Sequence, residues 1–277
     1  MTTGRRIKNA LKQALKFAVG LFGLFWPFGP SRTRILTYHS VGYRSHEMNV
    51  LPEDFAAQMA WLAEHHSVIS LEDAAQAKPG IAITFDDGYV DNLENAAPIL
   101  VEHAFPATVF MVAGRAEGTL DDDPHPEDGQ LMNWDQLRKL DSMGITIGSH
   151  TMTHPHLSQQ HVDIQQNEIE ASKAILENEL AKPVTIFAYP YGSALDYDEV
   201  TTALVKSAGY TLAVSNRYGP IFQGDDPFTL RRIWIDSTDT MKTFAAKVDG
   251  RMDGLRILDS GPGIAVRRLL NRGLGTR

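Results

Sequence analysis

The stretch Ile81-Ala82-Ile83-Thr84-Phe85-Asp86-Asp87-Gly88-Tyr89 sets a short apolar run against two carboxylates and a glycine. Residues 81–85 read as a buried strand. Successive side chains of an extended strand point to opposite faces, so two adjacent acids at a strand end cannot both reach solvent by default. An Asp-Gly pair can also close a strand in a simple turn, and on its own this stretch fits either reading. The rest of the chain decides between them.

Working outward, the same unit recurs. Further strands are expected at 34–39, 68–70, 107–112, 145–147, 184–188, 211–214 and 230–235. Between them lie helical patterns at 52–66, 71–77, 90–102, 134–143, 196–207 and 238–248, and a long one from Ser158, whose hydroxyl is the expected cap, to Ala181. Eight or so strands alternating with helices predict an α/β fold with a largely parallel sheet. Their number and the chain length suit a distorted (β/α) barrel of about seven or eight strands over residues 32–250. Residues 115–132 interrupt the rhythm with an acidic Pro/Gly-containing loop that includes Asp121-Asp122-Asp123, read as a lid or a solvated excursion.

The chain has 277 residues and no cysteine, so any metal would have to be held by histidine and carboxylate. Its charge is uneven. Residues 1–34 carry seven Lys/Arg and no acid, while residues 35–250 hold 13 basic against 32 acidic side chains. An acidic body argues against a nucleic-acid groove, which needs a basic track. In residues 1–31, Arg5, Arg6, Lys8, Lys12 and Lys16 precede the apolar run 17–28. That run falls short of the ~18 residues of a spanning helix, and no clear cleavage site follows it. Membrane-surface contact through residues 5–28 is therefore expected, with Trp26 at headgroup level and the domain on the cytoplasmic or periplasmic side. Residues 251–277 read as a basic C-terminal tail.

Four expected strands end in chemically capable residues: His39; Asp86 and Asp87; His150 and His154; and Tyr189-Pro190-Tyr191-Gly192. In a parallel barrel the carboxyl ends of all strands meet on one face, so these groups converge. Two imidazoles and one carboxylate make the three-ligand set of an open catalytic metal site. Two acids are present, so the second is free to act as a general base.

Thr84-Phe85-Asp86-Asp87-Gly88 together with His150-Thr151-Met152-Thr153-His154-Pro155 resembles the first two motifs of the polysaccharide deacetylases, the family-four carbohydrate esterases. The similarity spans roughly residues 34–236 and implies a distorted (β/α) barrel. It also implies a divalent metal, usually zinc, held by Asp87, His150 and His154, with Asp86 as catalytic base. The implied reaction is hydrolytic removal of acetyl from an N-acetylated sugar, so the implied partner is a glycan. The third family motif, Arg-x-Pro-Tyr, is matched at Pro190 and Tyr191, whose backbone amide the resemblance assigns to the oxyanion. Its arginine position is Ala188, and Arg231 or, preferably, Arg232 is the expected substitute. No histidine follows His161, so the usual C-terminal acid is absent. Tyr38-His39-Ser40-Val41 instead resembles the subgroup acting on poly-N-acetylglucosamine, where an N-terminal strand supplies the acid, and this makes His39 the candidate. An O-acetyl glycan esterase and a silent glycan-binding barrel are the alternative functions.

Overall fold

The computed structural model describes residues 33–116 and 129–259. The segment 5–28 expected to contact a membrane surface, the Asp121-Asp122-Asp123 run and the residues beyond Asp259 lie outside the described residues. No described helix is long and apolar enough to cross a membrane.

Seven parallel strands close into a barrel in the order β1 (Thr33–Tyr38), β4 (Gly80–Phe85), β5 (Ala107–Met111), β6 (Thr146–Ser149), β7 (Ile186–Ala188), β8 (Leu212–Tyr218) and β9 (Leu230–Trp234). The last strand returns to the first through Leu36↔Ile233 and Thr37↔Trp234. A two-stranded ribbon, β2 (Ser40–Val41) with β3 (Asn49–Val50), follows β1 directly. The expected strand at 68–70 is not a barrel stave: Val68 makes only an isolated bridge to Ile81 on the way to β4.

Side-chain alternation sorts each strand between two apolar layers. Ile35, Ala82, Phe110, Ile186, Ala188, Val214 and Leu230 form one cluster inside the barrel. Leu36, Tyr38, Ile83, Phe85, Val109, Met111 and Phe187 belong to the larger layer that also includes helix residues Phe55, Met59, Leu62, Ile169 and Leu176. A period of two then assigns the strand ends. Counting on from Ile35, Ala82 and Leu230 brings Thr37 and His39, Thr84 and Asp86, and Arg232 to the inner face.

The helices follow local rules. Pro52 opens helix Pro52–His65, Asn133 and Asp198 cap Trp134–Ser142 and Glu199–Ser207 with full capping boxes, and Thr240 caps Met241–Val248. Ser158 is not a cap. It sits in the 3₁₀ turn Leu157–Gln159, its hydroxyl donates to the Leu195 carbonyl, and the long helix runs from Val162 to Leu180. A long-range acceptor outcompetes the local capping bond here. The start of the basic tail is also packed: Asp253 pairs with Arg34 at 2.8 Å, and Asp259 accepts the Tyr218 amide at 2.7 Å.

Candidate active site

Asp86 ends β4 pointing inward and is fully buried. By strand parity Asp87 would face the other way. The chain avoids this by leaving the extended conformation, with φ of 73° at Asp87 and 85° at Gly88. Gly88 has a second constraint, because a Cβ there would stand 2.2 Å from the Met111 sulfur. Both acids therefore reach the same end of the barrel. β6 repeats the device: His150 follows the strand on its inner face, and Thr151 and His154 then take left-handed φ values of 67° and 62°. The two histidines are brought together by this irregular loop rather than by helical spacing.

Asp87, His150 and His154 offer ligand atoms that all lie within 4.8 Å of one another. Asp87 Oδ1 is 3.6 Å from His150 Nε2 and 3.5 Å from His154 Nε2. Tetrahedral ligands ~2.0–2.2 Å from a zinc ion stand roughly 3.4 Å apart, close to both of the Asp87–histidine separations. His150 Nδ1 lies 2.8 Å from the Ala188 carbonyl, which takes its proton and leaves Nε2 as the lone-pair donor. Burial pushes both imidazoles down to about 4, outweighing the nearby carboxylates, so both are neutral at pH 7 and each has a ring nitrogen lone pair to offer.

Asp86 faces a different partner. Arg232 Nη1 donates to its Oδ1 at 2.7 Å and Nη2 to its Oδ2 at 2.6 Å. The guanidinium is fully buried and also donates to the Ser215 carbonyl (3.0 Å), Thr84 Oγ1 (3.2 Å) and Asn216 Oδ1 (2.5 Å). A register shift between Val214 and Tyr218 in the β8–β9 pairing is what frees Ser215 and Asn216 for this contact. Burial alone would raise the Asp86 carboxyl; Arg232, with help from His150 and His39, instead holds it well below the usual carboxylate range. The guanidinium absent at Ala188 is thus present in space, supplied by Arg232. Arg231 points elsewhere, donating to the Tyr218 carbonyl.

His39, just past β1, has its Nε2 4.0 Å from Asp86 Oδ2 and is 16% exposed. Tyr191, with φ of 58° and 46% exposed, rests its ring against His154 at 4.7 Å. Its amide donates to no backbone carbonyl among the described residues. All seven residues singled out from the sequence therefore gather at one end of the barrel.

Several supports were not anticipated. Asp91 accepts from Ser40 Oγ (2.6 Å) and the Val41 amide (3.2 Å), and Asn92 donates to the His39 carbonyl at 2.7 Å, so this pair anchors the segment carrying His39. His156 stacks on Tyr191 at 3.7 Å and is tied to buried Asp196 at 2.7 Å. Asn216 joins Arg232 to the Tyr191 carbonyl. Glu168 holds the loop between the two histidines.

Residues 73–213 match the sequence profile of the family described as polysaccharide deacetylase. The chain belongs to the polysaccharide deacetylase family. That match contains Asp86, Asp87, His150, His154 and Tyr191 but neither His39 nor Arg232. Among polysaccharide deacetylase relatives, the Bacillus subtilis (strain 168) protein YxkH is 28% identical over 229 residues, covering 79% of this chain and 77% of that protein. The poly-beta-1,6-N-acetyl-D-glucosamine N-deacetylase of Staphylococcus aureus (strain MRSA252) is 25% identical over 219 residues, covering 73% and 72%. The Streptococcus pyogenes deacetylase PplD, solved in complex with acetate, shares the fold with a TM-score of 0.69 at 24% identity, covering 79% of this chain and 99% of that one.

Proposed function

We propose that this polysaccharide deacetylase is a metal-dependent hydrolase that removes N-acetyl groups from an N-acetylglucosamine-type polysaccharide or oligosaccharide. The observation that carries the reading is the meeting, at one barrel end, of the Asp87–His150–His154 donor set with an ionised, Arg232-clamped Asp86 and an adjacent His39. The substrate class is supported by the resemblance of residues 38–41 to the poly-N-acetylglucosamine subgroup and by the name of the Staphylococcus aureus relative.

Asp87, His150 and His154 would hold the ion, and the nitrogen-rich set suits zinc. When bound, such an ion supplies Lewis-acid polarisation of the acetyl carbonyl. Asp86, ionised by its guanidinium partner, takes a proton from the attacking water. The Tyr191 amide donates to the oxygen that gains negative charge. His39 delivers a proton to the departing nitrogen, which leaves poorly as an unprotonated amide anion. Burial of Asp86 and Arg232 keeps bulk water from competing for either group.

Acetate release from N-acetylglucosamine oligomers tests the reading directly. Activity is expected to vanish on chelation and return with added zinc; no release before or after zinc addition counts against it. His39 carries the choice between amide and ester. An alkoxide leaves more readily than an amine, so His39→Ala is expected to cost ~10²–10⁴-fold on the amide and far less on an O-acetyl ester. Equal losses on the two substrates would reject His39 as the acid.

A further inference from the structure

Thr151 and His154 both occupy the left-handed region, which residues with a Cβ avoid, so something must hold their loop. The turn also takes the amides of Met152 and Thr153 out of the sheet ladder, and each then needs an acceptor. One side of the loop is pinned through its carbonyls: Thr151 and Met152 accept from the amides of Ala113 and Gly114, each at 3.0 Å. The other side is pinned by Glu168. Its Oε2 accepts from the Met152 and Thr153 amides, both at 2.9 Å, and its Oε1 accepts from Thr153 Oγ1 at 2.7 Å. The His154 amide closes the turn on Thr151 Oγ1 at 3.0 Å.

Glu168 is only 6% exposed and reaches this loop from the helix Val162–Leu180. Among the described residues its partners are the three loop donors, so a buried carboxylate is being used to shape backbone. The backbone it shapes is the three-residue connection, 151–153, between His150 and His154.

We propose that Glu168 is a positioning residue for the metal centre, holding the loop in the conformation that aims His154 at Asp87. This rests on the reading of Asp87, His150 and His154 as ligands. Outer groups that orient metal ligands typically account for ~10–100-fold in affinity.

The test measures the zinc dissociation constant of the full chain by competition with a chromogenic chelator, alongside the melting temperature of the metal-free protein. Glu168→Ala is expected to weaken zinc binding ~10–100-fold. Glu168→Gln keeps a carbonyl oxygen for the two amides and is expected to recover most of the loss. Ser172→Ala is the control: this buried serine, on the same helix as Glu168 and bonded to Ser149 of β6 at 2.8 Å, should lower the melting temperature and leave zinc affinity unchanged. Zinc affinity of Glu168→Ala within about threefold of wild type overturns the proposal, as does an equal loss in Ser172→Ala. If Glu168→Ala does not fold, Thr153→Val removes one of the three bonds, and unchanged affinity in that variant overturns the proposal too. Wild type that binds no zinc, or His154→Ala that binds as tightly as wild type, refutes the ligand reading itself and the proposal with it.

Discussion

Asp86→Asn is expected to lower acetate release by roughly 10²–10⁴-fold, the usual contribution of a general base, while the protein keeps its zinc. The two effects separate because Asp86 is not in the donor set. Its oxygens are taken up by Arg232 at 2.6 and 2.7 Å, whereas Asp87 is the carboxylate near both histidine Nε2 atoms. An amide cannot accept the water's proton, but it has nearly the same shape and can still receive one guanidinium N–H. The variant leaves Arg232 buried and charged without a counter-ion, so some loss of stability accompanies the loss of rate. Metal content by elemental analysis, measured beside the acetate assay, reads both. Activity within tenfold of wild type would remove Asp86 from the mechanism, and loss of zinc would make it a ligand instead.

Removing the other half of the pair is expected to be still more disruptive. Arg232→Gln strands a carboxylate that is fully buried, and breaking a buried pair from one side costs about 3–5 kcal/mol. At ~2–4 °C per kcal/mol for a domain of this size, the melting temperature should fall by roughly 6–20 °C. The pH profile should move as well. In the wild type the opposing charge overcomes burial and holds the Asp86 carboxyl low. Without Arg232 the burial effect prevails, the carboxyl rises, and the ionised base is lost at a higher pH. The acidic limb of kcat/KM is thus expected to move upward once the carboxyl of the variant titrates above the two histidines. Arg232→Lys restores the charge but not the two-pronged contact, and should fall between the two. An unmoved acidic limb in Arg232→Gln would show that Asp86 does not govern it.

Much of this was legible in the chain before any coordinates. Asp86, His39 and His150 stand where an apolar strand runs out into polar chemistry, and strand parity assigns them inward. Asp87 and His154 were legible as chemistry but not as geometry, since each depends on a left-handed residue that no periodicity announces. The Arg232–Asp86 contact spans 146 residues, and only the closure of β9 onto β1 brings the two together; the sequence offered Arg231 and Arg232 as near equals. Glu168 was not singled out within the long helix expected from Ser158 to Ala181. The signal for it lay in the spacing of Gln165, Glu168, Ile169, Ser172 and Leu176, a buried stripe with three polar members. Asp91 and Asn92 were hidden differently, by reading the segment after Gly88 as ordinary helix, whereas it opens with the π-turn Asn92–Ala96. The strand expected at 68–70 is cut to a single bridge with Ile81, because β5 takes up the pairing of β4 from Ile83 onward.

Closure of the barrel between its first and last staves has a consequence for biosynthesis. A ribosome delivers Asp86 well before residue 232, so this carboxylate still lacks its counter-charge while most of the barrel is being made. The pair can be completed only after the final stave has been released and has docked beside β1. Until then Asp86 cannot be enclosed without burying an uncompensated charge, a staging that follows from strand order.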